Sequence, residues 1–283
     1  MTHLGPDDFF TPLGVRLRLV DRRPGTLDWL FLPDGPGLGA ESLEGLVEAA
    51  RLPGRSWLVD LPGDGSNVAA QGSPANPYGT WPNVFLEAVA AVPHPVAVGH
   101  GVGGMFLLAL PALETRLKGL ALISSAPDAG WLAARARVRS SRPLPGAVRA
   151  RRRYEAQLTA VRLGELTLAS APWFFTLESV VVGVELLQRL PYNADAAQWC
   201  EEHFDPHFLA SWWPATVPTL ILGGDSDQTV PQELWDDPFY RGQHVRRVLL
   251  ANAAHYPWLD RPLAVRAALL DLEQRIGLGH SSP

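Results

Sequence analysis

The chain has a single cysteine, Cys200, so it cannot close a disulfide on itself. That fits a reducing compartment and predicts a cytoplasmic protein. It has one lysine, Lys118, and carries nearly all its positive charge as arginine, which reads as a mark of genome composition and not of function. It lacks a basic excess: 24 Lys and Arg against 29 Asp and Glu give a net charge of −5, which argues against a nucleic-acid-binding domain. It lacks a membrane-spanning run as well. The most apolar stretch, Pro95 to Pro111, is too short and is broken by His100 and glycines. The first ten residues, MTHLGPDDFF, hold two acids and no basic segment, so no secretory signal is expected. There is no internal repeat and no low-complexity tract. What remains is 283 residues, 47% hydrophobic and 19% charged, enough for one large α/β domain with an insertion or for two small domains, with a sizeable buried core.

Gly14 to Arg23 alternates apolar and polar residues, as an exposed strand does. Pro24-Gly25 is a turn signal, and Leu27 to Leu32 reads as the returning strand. Helical spacing follows over Glu41–Leu52, a strand over Ser56–Asp60 and a helix over Trp81–Val92. Val96–Gly99 is an apolar strand, Met105–Leu113 a helix and Leu120–Ile123 another apolar strand. Strands apolar throughout, alternating with helices, imply a parallel sheet covered on both faces. Residues 128–216 hold no convincing strand and read as a helical cap inserted into a core formed by 1–127 and 217–283. After the cap come a strand at Thr219–Leu222, a short helix at Pro231–Tyr240, a strand at Val245–Leu250 and a closing helix at Arg261–Ile276. The tail from Gly277 is expected to be loose.

The strongest local signal is Val98-Gly99-His100-Gly101-Val102-Gly103-Gly104, between an apolar strand and a helix. This has the form of a nucleophile elbow, G-x-S-x-G, in its strand–turn–helix context. The turn is tight enough to need small flanking residues, here Gly99 and Gly103. Its central residue is strained, which glycine tolerates best. The N–H of Val102 is placed to face an oxyanion. Alone, such a turn is equally a phosphate-binding or purely structural feature.

Four further loops each follow a strand: Leu32-Pro33-Asp34-Gly35-Pro36-Gly37, Asp60 to Ser66, Gly223 to Pro231 (GGDSDQTVP), and Asn252 to Pro262 (NAAHYPWLDRP). With the elbow, they resemble the α/β-hydrolase superfamily, and within it the proline-iminopeptidase-like branch with its H-G-G-P-G loop. The resemblance covers essentially the whole chain. It implies an α/β-hydrolase fold, a mostly parallel sheet flanked by helices and bearing a helical cap. It also implies the order nucleophile, acid, histidine, which falls on Gly101, Asp227 and His255. The oxyanion donors would be the N–H groups of Val102 and Gly35. No cofactor and no metal is implied, and the partner would be a partly apolar small molecule.

Three departures matter. The family's serine is Gly101, and no Ser, Thr, Cys or Asp lies between Val92 and Pro111 to replace it. Covalent acyl-enzyme chemistry is impossible at a residue without a side chain. The family's His-Gly before the oxyanion donor is Pro33-Asp34, whose carboxylate, if it faces the pocket, would oppose an oxyanion. The glycine before the histidine is Ala254. His255 with Asp227 would still be a general base with its orienting carboxylate, with Asp225 and Asp128 as lesser candidates for the acid. Glycine at position 101 is expected to leave room for water or a larger substrate, and Gly101→Ser is expected to restore partial hydrolysis.

Other features are weaker. Eight arginines lie between Arg135 and Arg153. They would suit an anionic ligand, but a solvated helical face is the stronger expectation. His203, Asp205 and His207 have a spacing that fits no known ligand helix, and Cys200 reads as a core residue. The cap tryptophans, Trp131, Trp173, Trp199, Trp212 and Trp213, could line an apolar pocket, but packing of the cap is the default expectation. Three functions compete. The first and narrowly favoured one is an enzyme using His255 and Asp227 without a serine, as lyases and cofactor-free oxygenases of this fold do. The second is a binding protein, like the N-myc downstream-regulated family, which lacks the serine in the same fold. The third is an ordinary ester or amide hydrolase whose serine has been exchanged for glycine.

Overall fold

Four segments of the chain, DWLFL, PVAVGH, GLALI and TLILGG, form strands in which every residue is buried. A strand with no exposed position needs cover on both faces, and the period of two splits its side chains between two cores. Leu30, Leu32, Ala97, Leu120, Leu122 and Ile221 join the core on one face. Trp29, Phe31, Val96, Val98, Leu220 and Leu222 join the other.

The computed structural model describes residues 8–68 and 76–279. Its strands are β1 (Phe9–Phe10), β2 (Arg16–Arg23), β3 (Asp28–Leu32), β4 (Gly54–Asp60), β5 (Pro95–His100), β6 (Gly119–Ile123), β7 (Thr219–Gly224) and β8 (Val245–Leu250). Among the described residues they form one sheet in the order β1-β2-β4-β3-β5-β6-β7-β8. The pairs β1·β2 and β2·β4 are antiparallel and the remaining pairs parallel. Helices α1 (Glu44–Ala50), α2 (Trp81–Ala90) and α3 (Val102–Leu108) alternate with the early strands. Between β6 and β7 lie α4 (Gly130–Ser141), α5 (Pro145–Ala156), α6 (Ala160–Ala169), α7 (Ala171–Phe174), α8 (Val180–Leu187), α9 (Ala194–Trp199) and a π-helical turn at Cys200–Phe204. The chain closes with α10 (Pro257–Asp260) and α11 (Pro262–Gly279). The residues of α2 and α3 cover one face of the sheet, and those of α1 and α11 the other.

The helical segment leaves and rejoins the core at one neck. Asp128 bridges Leu209, Ala129 N–H donates to Phe208 O at 2.8 Å, and Ala210 N–H donates to Pro127 O at 2.9 Å. Among the described residues no helix is long and apolar enough to cross a membrane.

Several expectations need correction. β2 and β3 are not a hairpin pair: β4 lies between them, antiparallel to β2 and parallel to β3. Long-range pairing of apolar strands outweighs the local turn at Pro24-Gly25. Helix α3 begins at Val102, three residues earlier than expected, because Gly103 and Gly104 are there for close packing and not to make a turn. Residues 232–240 form two 3₁₀ turns instead of one helix, with Pro231 and Pro238 interrupting the ladder. Gly277 to Gly279 belong to α11, and the rest of the expected loose tail lies outside the described residues.

Candidate functional site

β3, β5, β7 and β8 run parallel, so their carboxyl ends open on the same edge of the sheet. The chain adds β3 and β4 on one side of β5 and β6 to β8 on the other. Ligands of open α/β sheets bind at such a reversal of strand order. The loops leaving these strands carry Asp34, Gly101, Asp227 and His255.

Gly101 sits between β5 and α3 at φ 50°, ψ −120°, a conformation that side chains rarely adopt. Close contact sets its neighbours. A Cβ on Gly99 would lie 2.5 Å from the backbone of Gly104, and one on Gly103 would lie 2.6 Å from the carbonyl oxygen of Leu32. The turn is anchored by Gly101 N–H donating to Ile123 O at 2.9 Å.

The Asp34 carboxylate fills the space above Gly101 that was expected to be open. A Cβ built on residue 101 would overlap Asp34 Oδ1 and Cγ. Asp34 Oδ1 accepts the N–H of Val102 at 2.8 Å, and Asp34 Oδ2 faces His255 Nε2 at 2.9 Å. The other ring nitrogen, His255 Nδ1, faces Asp227 Oδ2 at 2.9 Å. Asp227 is fixed in turn by the N–H groups of Thr229 and Val230 on its Oδ1, at 2.8 and 2.9 Å. Asp34, Asp227 and His255 are all buried. The Val102 N–H, expected to face an oxyanion, is engaged by Asp34, and Gly35, at φ 43°, lines the same cavity as Val102.

Carboxylates only accept hydrogen bonds, so an imidazole held between two of them donates from both nitrogens and is cationic. Burial alone would push the His255 pKa down. The charges of Asp227 and Asp34, and their hydrogen bonds, outweigh that and hold it at about 10. Burial would likewise raise Asp34, but the His255 charge and hydrogen bond, with help from Val102 N–H, hold it well below the usual carboxylate range. His100 behaves oppositely. Burial, and then the positive His255, push it down to about 4, and its Nε2 donates to His255 O at 2.9 Å.

The lesser candidates do not reach His255. Asp225 is exposed and accepts from Asn252 N and Ser226 Oγ, both at 2.9 Å; Asp128 accepts Gly130 N–H at 2.7 Å. His203 stacks on Trp199, Asp205 is buried and His207 is exposed, so these three form no shared centre. Cys200 is buried and directs its thiol to Asp205 Oδ1 at 3.2 Å. One group among the described residues, Asp34, His100 and His255, has donor atoms within 4.8 Å of one another. It could gather a metal ion only after His255 surrendered its protons and its carboxylates.

Above Asp34 and Val102 is a cavity of about 150 Å³, walled largely by the helical segment between β6 and β7. The sequence pattern missed that Arg135, Arg139 and Arg151 line it. A usable signal was there: Trp131, Arg135 and Arg139 follow one another at i, i+4, i+8 and so share one face of α4. Trp131 is buried, which identifies that face as the inward one. The segment also touches the site directly, where His255 N–H donates to Phe174 O at 3.1 Å.

The comparisons agree with this architecture. No curated protein matches the sequence. Among similar solved structures, the proline iminopeptidase of Mycobacterium smegmatis superposes with a TM-score of 0.67 at 18% identity, over 96% of this chain and 100% of that one. A thermophilic esterase from Thermogutta terrifontis gives 0.68 at 18% identity, over 93% and 94%. An alpha/beta fold family hydrolase from Bacillus anthracis gives 0.71 at 14%, over 94% and 98%. At these identities the likeness shows the fold, but the model of the alpha/beta hydrolase family matches residues 24–268 of the sequence itself. Through that match, which spans most of the sequence, the chain belongs to the alpha/beta hydrolase family.

Proposed function

We propose that this chain is a small-molecule-binding member of its family that does not hydrolyse esters or amides. The observation that carries this reading is the position of Asp34. One of its oxygens takes the Val102 N–H and the other takes His255, so the place of a nucleophile and its oxyanion donor is filled by the protein's own carboxylate. A water or acyl group at Gly101 would have to displace a buried, hydrogen-bonded anion.

The same arrangement weighs against an enzyme driven by His255 and Asp227, the function narrowly favoured by the sequence. With two carboxylates holding its pKa well above the ordinary imidazole value, His255 is cationic at neutral pH. A group that has already donated both protons to carboxylates is not a base in waiting. Residues 128–216 act in this reading as a cap: they wall the cavity, and their Phe174 is bonded to the His255 backbone. The lone, buried Cys200 supports a cytoplasmic setting.

The test uses the intact protein. Incubated with a fluorophosphonate probe, it gains no adduct mass, and it releases p-nitrophenol from p-nitrophenyl acetate no faster than His255→Ala does. Stoichiometric labelling of any serine would overturn the reading.

A further inference from the structure

The cavity over Asp34 holds three arginines, and two of them are spoken for. Arg151 Nη1 meets both carboxylate oxygens of Glu201 at 3.0 Å. Arg139 lies over the Trp173 ring at 4.3 Å, and donates from Nε to Gln228 O at 3.2 Å and from Nη2 to Thr229 Oγ1 at 3.3 Å. Arg135 differs. Its guanidinium lies over the Trp131 ring at 4.5 Å, and among the described residues no hydrogen bond or ion pair engages it. It is half-buried, and burial pushes its pKa down. Asp205, the largest charge acting on it, is turned to the Cys200 thiol.

From the unpaired guanidinium of Arg135 facing this cavity, we infer that the site takes a small monocarboxylate with a short apolar body. A guanidinium offers a planar fork of two parallel N–H bonds, which a carboxylate matches bidentately. Only one fork is open, so one carboxylate is neutralised and a dianion is not. Leu163, Leu166, Phe174 and Val230 supply apolar contact for the rest of the molecule. The carboxylates in the same wall are already engaged, Asp34 by His255, Glu201 by Arg151 and Asp205 by the Cys200 thiol, which leaves Arg135 as the open charge. A volume of about 150 Å³ lies below the roughly 300–1,000 Å³ of drug-sized sites, which restricts the body to a single ring or a short chain. Trp131, under the Arg135 guanidinium, holds the fork in position through a cation–π contact. The inference rests on the non-hydrolytic reading only in that the ligand is held and not turned over.

The probes are benzoate and hexanoate, titrated calorimetrically into the full chain, with benzamide and inorganic phosphate as controls. Both carboxylates bind, and benzamide and phosphate bind at least about tenfold more weakly. Arg135→Gln weakens benzoate by about tenfold or more. Arg137→Gln, on the exposed side of α4 where Arg137 pairs with Glu233, leaves the affinity unchanged. The inference is overturned if neither carboxylate binds, if benzamide or phosphate matches benzoate, or if Arg135→Gln keeps the parent affinity. Should Arg135→Gln not fold, the benzoate and benzamide comparison on the unaltered protein decides alone. Ester turnover is a separate measurement, so failure of the non-hydrolytic reading is distinguishable from failure of this one.

Discussion

Gly101→Ser alone will leave the protein as inert towards p-nitrophenyl acetate as the parent, whereas Gly101→Ser combined with Asp34→Gly will hydrolyse it on the order of 10²-fold faster. The single variant fails for two reasons. A serine at φ 50° carries backbone strain of about 1–3 kcal/mol, and its Cβ overlaps the Asp34 carboxylate. This corrects the expectation that the hydroxyl alone restores partial activity. Removing the Asp34 side chain does three things together. It clears the space above residue 101, frees the Val102 N–H for an oxyanion, and takes away one of the two carboxylates that keep His255 protonated. His255→Ala in the double-variant background should abolish the gain. Equal activity in Gly101→Ser with and without Asp34 would mean that Asp34 swings aside at no cost and is not a plug.

Asp34→Asn will lower stability by about 2 kcal/mol near pH 6, the scale of a buried hydrogen bond to a charged group, and will reshape its pH dependence. His255 has a folded pKa of about 10 against an ordinary 6.5. Its contribution is fully present below pH 6.5 and is lost as pH rises through 10. Asp34 is shifted the other way, so its contribution is present above about 3.8 and is lost as pH falls towards its depressed folded value. The two windows overlap between roughly pH 4 and 6.5, where the parent should be most stable with respect to this pair. Removing the Asp34 charge lets the His255 pKa fall, so the alkaline decline of Asp34→Asn begins from a lower plateau and ends at lower pH. Urea melts from pH 5 to 10 measure this. An alkaline slope identical in parent and variant would show that Asp34 does not hold the His255 proton.

Much of this site is legible in the sequence because its parts follow strands. A run such as GHGVGG, after four buried apolar residues, signals a tight strand–helix turn. Asp227 and His255 fall on the loops that leave β7 and β8. The arrangement of Asp34 is not legible in the same way. It depends on a side chain and a missing side chain 67 positions apart sharing one volume. Pattern reading registers each residue but not their complementary sizes. The β2–β4 pairing was hidden for a related reason, since a local turn can be read from the sequence and a distant partner strand cannot. The arginines misled in another way. Composition gives a charge run its solvated average, and within α4 only the shared helix face of Trp131, Arg135 and Arg139 separates the inward members from Arg137.

The steric exclusion between Asp34 and position 101 also constrains how such a site changes over generations. A serine at 101 and an inward Asp34 cannot occupy the same molecule, so the hydrolytic and plugged arrangements are two substitutions apart and each intermediate is unrewarded. Serine with Asp34 is expected to be strained and inactive; glycine at both positions has no nucleophile and leaves His255 with Asp227 as its one carboxylate. The arrangement therefore acts as a ratchet. Under the proposed reading, esterase activity needs both changes together, and the cavity above is free to be shaped for retention of a ligand in place of its release.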